Sequence, residues 1–144
     1  MHPKQICEDF KSMDARLMLD NGDLYIENPE KICTELEEFV KSYKPRIIQF
    51  LQGQYTDKDH SINQTIEKIM NYFAGIEQAM NKKIEDWLNH DGEALDMIVN
   101  QLFIELWNNG WTDIRTPIDD YESQKTNTLC SNIFQRAMSY FKGS

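Results

Sequence analysis

The chain reads as mainly α with a small α+β head: a helix–β-hairpin–two-helix module at the amino terminus, followed by a three-helix bundle-like body. Three observations lead there. Two short apolar runs flank Asp20-Asn21-Gly22, and Asn-Gly between β-prone runs is the strongest short-range hairpin signal, because the tight turn needs positive φ. From Ile62 onward apolar residues recur mostly three and four apart, the period of an amphipathic helix. Between the patterns lies the polar, turn-prone stretch Thr56-Asp57-Lys58-Asp59-His60-Ser61, which puts the head at residues 1–55 and the helical body at 56–144.

Ile6, Phe10 and Met13, spaced by four then three, predict a short first helix with Pro3 tolerated in its first turn. In the hairpin, Ala15, Leu17 and Leu19 share one face and Arg16 and Met18 the other, while Leu24 and Ile26 alternate with Asp23, Tyr25 and Glu27. A hairpin alone in water is marginal, so the flanking helices must cover one face. Met18 and Tyr25 lie on the other. Asn28-Pro29 reads as a helix entry, with Ile32, Leu36, Phe39, Val40 and Tyr43 as that helix's stripe. Lys44-Pro45 interrupts it, a second helix runs from Arg46 to Leu51, and Gly53 ends it.

In the body, Ile62, Ile66, Ile69, Phe73, Ile76, Met80, Ile84 and Trp87 form one apolar seam, expected on a single long helix. Asn89-His90-Asp91-Gly92 is a stop and restart, after which Leu95, Ile98, Val99, Leu102, Phe103, Leu106 and Trp107 give a wide apolar face. Gly110 closes that helix, a loop follows from Trp111 to Pro117, and the last helix is expected around Asp119 to Lys142.

Composition narrows the function. Hydrophobic residues at 40% and aromatics at 11% exclude intrinsic disorder, and a mean hydropathy of -0.63 without a long uncharged apolar run excludes a membrane span. The net charge of -9 argues against direct nucleic-acid binding, which needs clustered Lys and Arg. It suits a basic protein surface instead. Glu8 and Asp9 precede any apolar stretch that could serve as a secretory signal, so a cytoplasmic location is expected. Cys7, Cys33 and Cys130 are an odd, scattered set without a Cys-x-x-Cys pair, which reads as buried thiols in a reducing compartment.

The order of features in the first fifty or so residues carries a resemblance. A short helix, Leu17-Met18-Leu19 leading to Asn21-Gly22, Leu24-Tyr25-Ile26, Pro29, and Leu36 through Lys44 to Ile47-Ile48 and Phe50-Leu51 resemble the amino-terminal docking domain of the TubC type, found on nonribosomal peptide synthetase subunits and in proteins of phages and mobile elements. The resemblance covers roughly a third of the chain. It implies an exposed hairpin that accepts a partner peptide by strand addition, and a domain that can form a homodimer. No His-His-x-x-x-Asp-Gly condensation signature follows, so the head is not expected to serve an assembly line. The Asn-, Lys- and Ile-rich composition looks instead like that of accessory proteins of phages or mobile elements.

Chemistry has little footing. His2, His60 and His90 are far apart and fit no ligand motif, and there is no phosphate loop or nucleophile elbow. Glu37-Glu38, Glu85-Asp86 and Asp119-Asp120 are adjacent and so diverge around a helix. No catalytic residue, metal or cofactor is expected. The expected function is a non-catalytic interaction protein that binds a host or phage protein; its sharper form is an inhibitor of a nucleic-acid enzyme, such as a defence nuclease, through an acidic surface. The expected contacts are Arg16, Met18, Asp23 and Tyr25 on the hairpin's outward face, with Trp111 and Arg115 beside the Gly110 turn, since Trp and Arg dominate interface hot spots. The alternatives are a small enzyme or metal protein using His60 or His90, and a structural subunit self-associating through its Ile-rich seam.

Overall fold

The computed structural model describes residues 2–76 and 78–142, with the side chains of residues 78–80 outside the description. The Met80 side chain of the seam and the Gly143-Ser144 tail therefore fall outside it. The chain is mainly α with one two-stranded antiparallel hairpin near its amino terminus. It divides into two compact units, Met1–His60 and Ser61–Ser144, and the division falls inside a helix rather than ahead of it, at residues 55 and 56.

The first unit contains α1 (Pro3–Ser12), β1 (Leu17–Asp20), β2 (Asp23–Ile26), a 3-10 turn (Pro29–Lys31), α2 (Thr34–Ser42) and α3 (Lys44–Leu51). His2 caps α1, its Nδ1 accepting the Lys4 N–H at 3.0 Å. Ile6, Phe10, Ala15, Leu17, Val40 and Ile47 form the buried core of this unit, with Leu24 and Ile26 packed against it. One face of the hairpin is thus covered by helices.

At Asn28-Pro29 the entry differs from expectation. Asn28 is in the left-handed region at φ 52, its side-chain N–H donates to the Asp14 carbonyl at 3.0 Å, and only a 3-10 turn follows before α2 starts at Thr34. The asparagine therefore ties two loops together instead of capping a helix.

The second unit is built from most of α4 (Asp57–Ala74), then α5 (Gln78–His90), α6 (Gly92–Asp96), a π-helical segment (Met97–Leu102), α7 (Phe103–Asn108), a second 3-10 turn (Asp119–Tyr121) and α8 (Gln124–Lys142). The seam expected on one long helix is cut at Gly75. Its φ of +71, with Gly75 N–H to Tyr72 O at 3.1 Å and Ile76 N–H to Asn71 O at 2.9 Å, makes a Schellman stop. Ile76 falls off the seam and is exposed, whereas Ile66, Ile69, Ile84 and Trp87 remain in the core. The start of α8 is later than expected, because Ser123 and Thr126 exchange side-chain-to-backbone hydrogen bonds, a reciprocal cap, at 2.7 and 3.3 Å.

The stretch from Gly92 to Asn108 is helical throughout, but unevenly wound. Ala94, Ile98, Leu102 and Leu106 are four apart and each is 0% exposed. In regular α winding a step of four overshoots a turn by about 40°, so three steps would carry Leu106 roughly 120° around from Ala94. The wider π segment in between takes up that drift. Asp91 caps α6, its Oδ1 accepting the Ala94 N–H at 3.1 Å. Arg136 of α8 binds both Asp91 oxygens, with Nη2 to Oδ1 at 2.7 Å and Nε to Oδ2 at 3.0 Å. The restart after α5 is thereby fixed to the last helix.

Candidate interaction surface

Asn21 and Gly22 adopt φ 54 and 81, the two positive values that a two-residue hairpin turn with the right twist requires. The register follows: Leu17 faces Ile26, Met18 faces Tyr25, Leu19 faces Leu24 and Asp20 faces Asp23. Glu27 N–H donates to Arg16 O at 2.8 Å. Since hydrogen-bonded and non-bonded pairs alternate along an antiparallel ladder, Met18–Tyr25 and Asp20–Asp23 are the bonded pairs within the strands. The backbone groups of Leu17, Leu19, Leu24 and Ile26 then point to the outer edges, and no third strand joins either edge among the described residues.

Directly opposed residues share a face, so Arg16, Met18 and Asp20 stand beside Glu27, Tyr25 and Asp23 on the side away from the core. Tyr25 is 49% exposed. Arg16 Nε lies 3.5 Å from Glu27 Oε2, and its Nη2 donates to Met18 Sδ at 3.4 Å. At the turn end, Lys44 Nζ reaches Asp23 Oδ1 at 2.9 Å, and the Leu24 N–H donates to the same oxygen at 2.9 Å. The Lys44 ammonium and this amide hold the Asp23 carboxyl below the usual carboxylate range. The structure therefore brings Arg16, Met18, Asp23 and Tyr25 onto one face, an aromatic and a thioether between two ion pairs.

Trp111 and Arg115 belong to the other unit and are not alike. Trp111 is buried against Phe103, with ring centroids 5.6 Å apart, and its Nε1–H donates to Thr116 O at 2.9 Å. As a satisfied core side chain it offers no contact surface, which corrects the expectation for this residue. Arg115 is exposed in the loop, its backbone N–H bound to Asp113 Oδ1 at 3.0 Å. The exposed tryptophan is Trp107, at 62%, accompanied by Ile104, Val99 and Leu95 on the unevenly wound helix. The four-residue spacing of Ala94, Ile98, Leu102 and Leu106 is the signal that separates the two tryptophans, because it leaves Trp107 off the buried line.

The histidines are occupied locally. Tyr55 Oη and His60 Nδ1 are 3.1 Å apart, with the His2 ring 4.4 Å from that of His60. His90 Nδ1 is 2.7 Å from Asp86 O, and its ring lies 5.9 Å from Tyr140. Among the described residues no three His, Cys, Asp or Glu side chains are grouped to hold a metal ion, and no helix is long and apolar enough to cross a membrane.

Comparison of the chain with protein-family models, with curated proteins and with solved structures returned no match.

Proposed function

We propose that this chain is a non-catalytic interaction protein that holds another protein against the outward face and free edges of its hairpin. The observation that carries this reading is Tyr25, half exposed opposite Met18, with an ion pair at each end of the face. An aromatic centre with a charged rim is the make-up of a recognition surface. The unjoined strand edges offer backbone hydrogen bonds to an extended segment. The resemblance of residues 1–53 to TubC-type docking domains supports the same mode of binding.

A phage or mobile-element setting rests on composition, and a basic nucleic-acid enzyme, such as a defence nuclease, is the partner class that the net charge of -9 favours. Affinity purification from the native host with mass spectrometry tests the reading directly. One dominant co-purifying protein is expected, with binding that weakens as salt is raised. Tyr25→Ala should weaken that complex by about 1–3 kcal/mol while leaving the melting temperature nearly unchanged. Unaltered affinity in a folded variant would remove the hairpin face from the site.

A further inference from the structure

A groove of about 350 Å³ opens in the second unit between α4, α5 and α8. This is the small end of the range for ligand-binding clefts. Its wall and floor are apolar: Ile69, Ile84 and Trp87 are almost fully buried, and the Phe141 ring, 45% exposed, stands 6.1 Å from the Trp87 ring. Two cations complete the lining, Lys68 from α4 and Lys83 from α5.

Among the described residues, other cations of this unit are held in ion pairs, while Arg115, like the two lysines of the groove, is in none. Lys82 is paired with Asp86, Lys125 with Glu105 and Arg136 with Asp91. Lys68 and Lys83, in contrast, have no ion-pair partner among the described residues, in a chain with 24 acidic against 15 basic residues. A like-charged pair left open beside an apolar floor is complementary to a ligand with an apolar body and one anionic head.

We infer that this groove binds a small amphipathic carboxylate, its chain or ring lying on Ile69, Ile84, Trp87 and Phe141 and its carboxylate between Lys68 and Lys83. Apolar burial supplies most of the affinity. The two ammonium groups select an anion over a neutral or cationic amphiphile of the same length. This site is independent of the hairpin reading, and the two can fail separately.

The test uses the full chain and decanoate below its micellar concentration, followed by amide and indole NMR shifts. Saturable shifts at Lys68, Lys83, Trp87 and α8 are expected, whereas decanol and decyltrimethylammonium should bind at least tenfold more weakly. Both lysines are exposed, so the double variant Lys68→Gln, Lys83→Gln should melt like the parent and yet lose about tenfold or more in decanoate affinity. Butyrate, which lacks the apolar body, should not saturate. Equal binding of the three ten-carbon amphiphiles, undiminished decanoate binding by the folded double variant, or shifts confined to other parts of the molecule would overturn the inference. Tyr25→Ala should leave decanoate binding unchanged, which keeps this result separate from the hairpin experiment.

Discussion

Met18 and Tyr25 stand directly opposite each other on β1 and β2 in a hydrogen-bonded pair, while their side chains share the outward face of the hairpin. The backbone of Tyr25 is therefore committed to the ladder even though its ring is free. Tyr25→Pro should remove a ladder bond and unravel the hairpin. Leu19→Pro removes an N–H that points to the outer edge of β1, so the head should stay folded, and any loss of partner binding would then report use of that edge. Amide spectra of the two variants decide between these outcomes.

Trp111 and Trp107 should respond oppositely. Trp111→Ala opens a cavity beside Phe103 and orphans the Thr116 carbonyl, and should cost about 3–5 kcal/mol. Trp107→Ala, at a mostly exposed position, should stay within about 0.5 kcal/mol. Urea unfolding of both variants measures the contrast.

Arg136 and the Ala94 amide keep the Asp91 carboxyl below the usual range. A carboxyl with a lowered folded pKa adds stability that is complete above its unfolded value, about 3.9, and is lost as pH falls through the folded one. Arg136→Met should thus cost about 1–2 kcal/mol at neutral pH, and the gap to the parent should narrow on acidification below about pH 4. A gap constant from pH 7 down to pH 2 would mean that packing, not the ion pair, carries the effect.

Thiol reactivity should follow exposure. Cys33 is exposed, Cys7 is half-buried with its thiol pKa raised by burial and by Glu8, and Cys130 is buried with its thiol pushed far up, chiefly by desolvation. Alkylation of the native protein should modify Cys33 first, Cys7 slowly and Cys130 only on unfolding. Early modification of Cys130 would show that α8 opens readily.

Gly75 sets a backbone test. A Cβ there would meet no atom within 4 Å, yet φ is +71. Gly75→Ala should therefore destabilise by about 1–2 kcal/mol through left-handed strain alone, measurable by thermal melting.

Much of the head was legible because its signals are local. Asn21-Gly22 dictates the turn, and alternation around it is enough to put Met18 and Tyr25 on one face. Asn28-Pro29 misled because the asparagine's partner is the Asp14 carbonyl, fourteen residues away, and a tertiary bond of that kind leaves no local pattern. In the body, the apolar period continued smoothly through Gly75, so hydropathy alone joined two helices that a backbone conformation separates. Trp111 followed the same logic. Residue type marked it as an interface anchor, but the Thr116 carbonyl that satisfies its indole made it core.

The wide winding at Met97–Leu102 also makes chain length a structural variable. Deleting the exposed Asn100 removes no core atom. It would let the segment rewind as ordinary α-helix, and the remaining steps from Ala94 to Leu106 would then turn through about 1,100°, within roughly 20° of three full turns, so that Leu106 keeps its place on the buried line. The surplus residue is stored in the wide winding without setting the phase of the two ends, so a one-residue deletion there should cost the interior little, whereas the same deletion in a regularly wound helix would turn everything beyond it by about 100° and expose the core face.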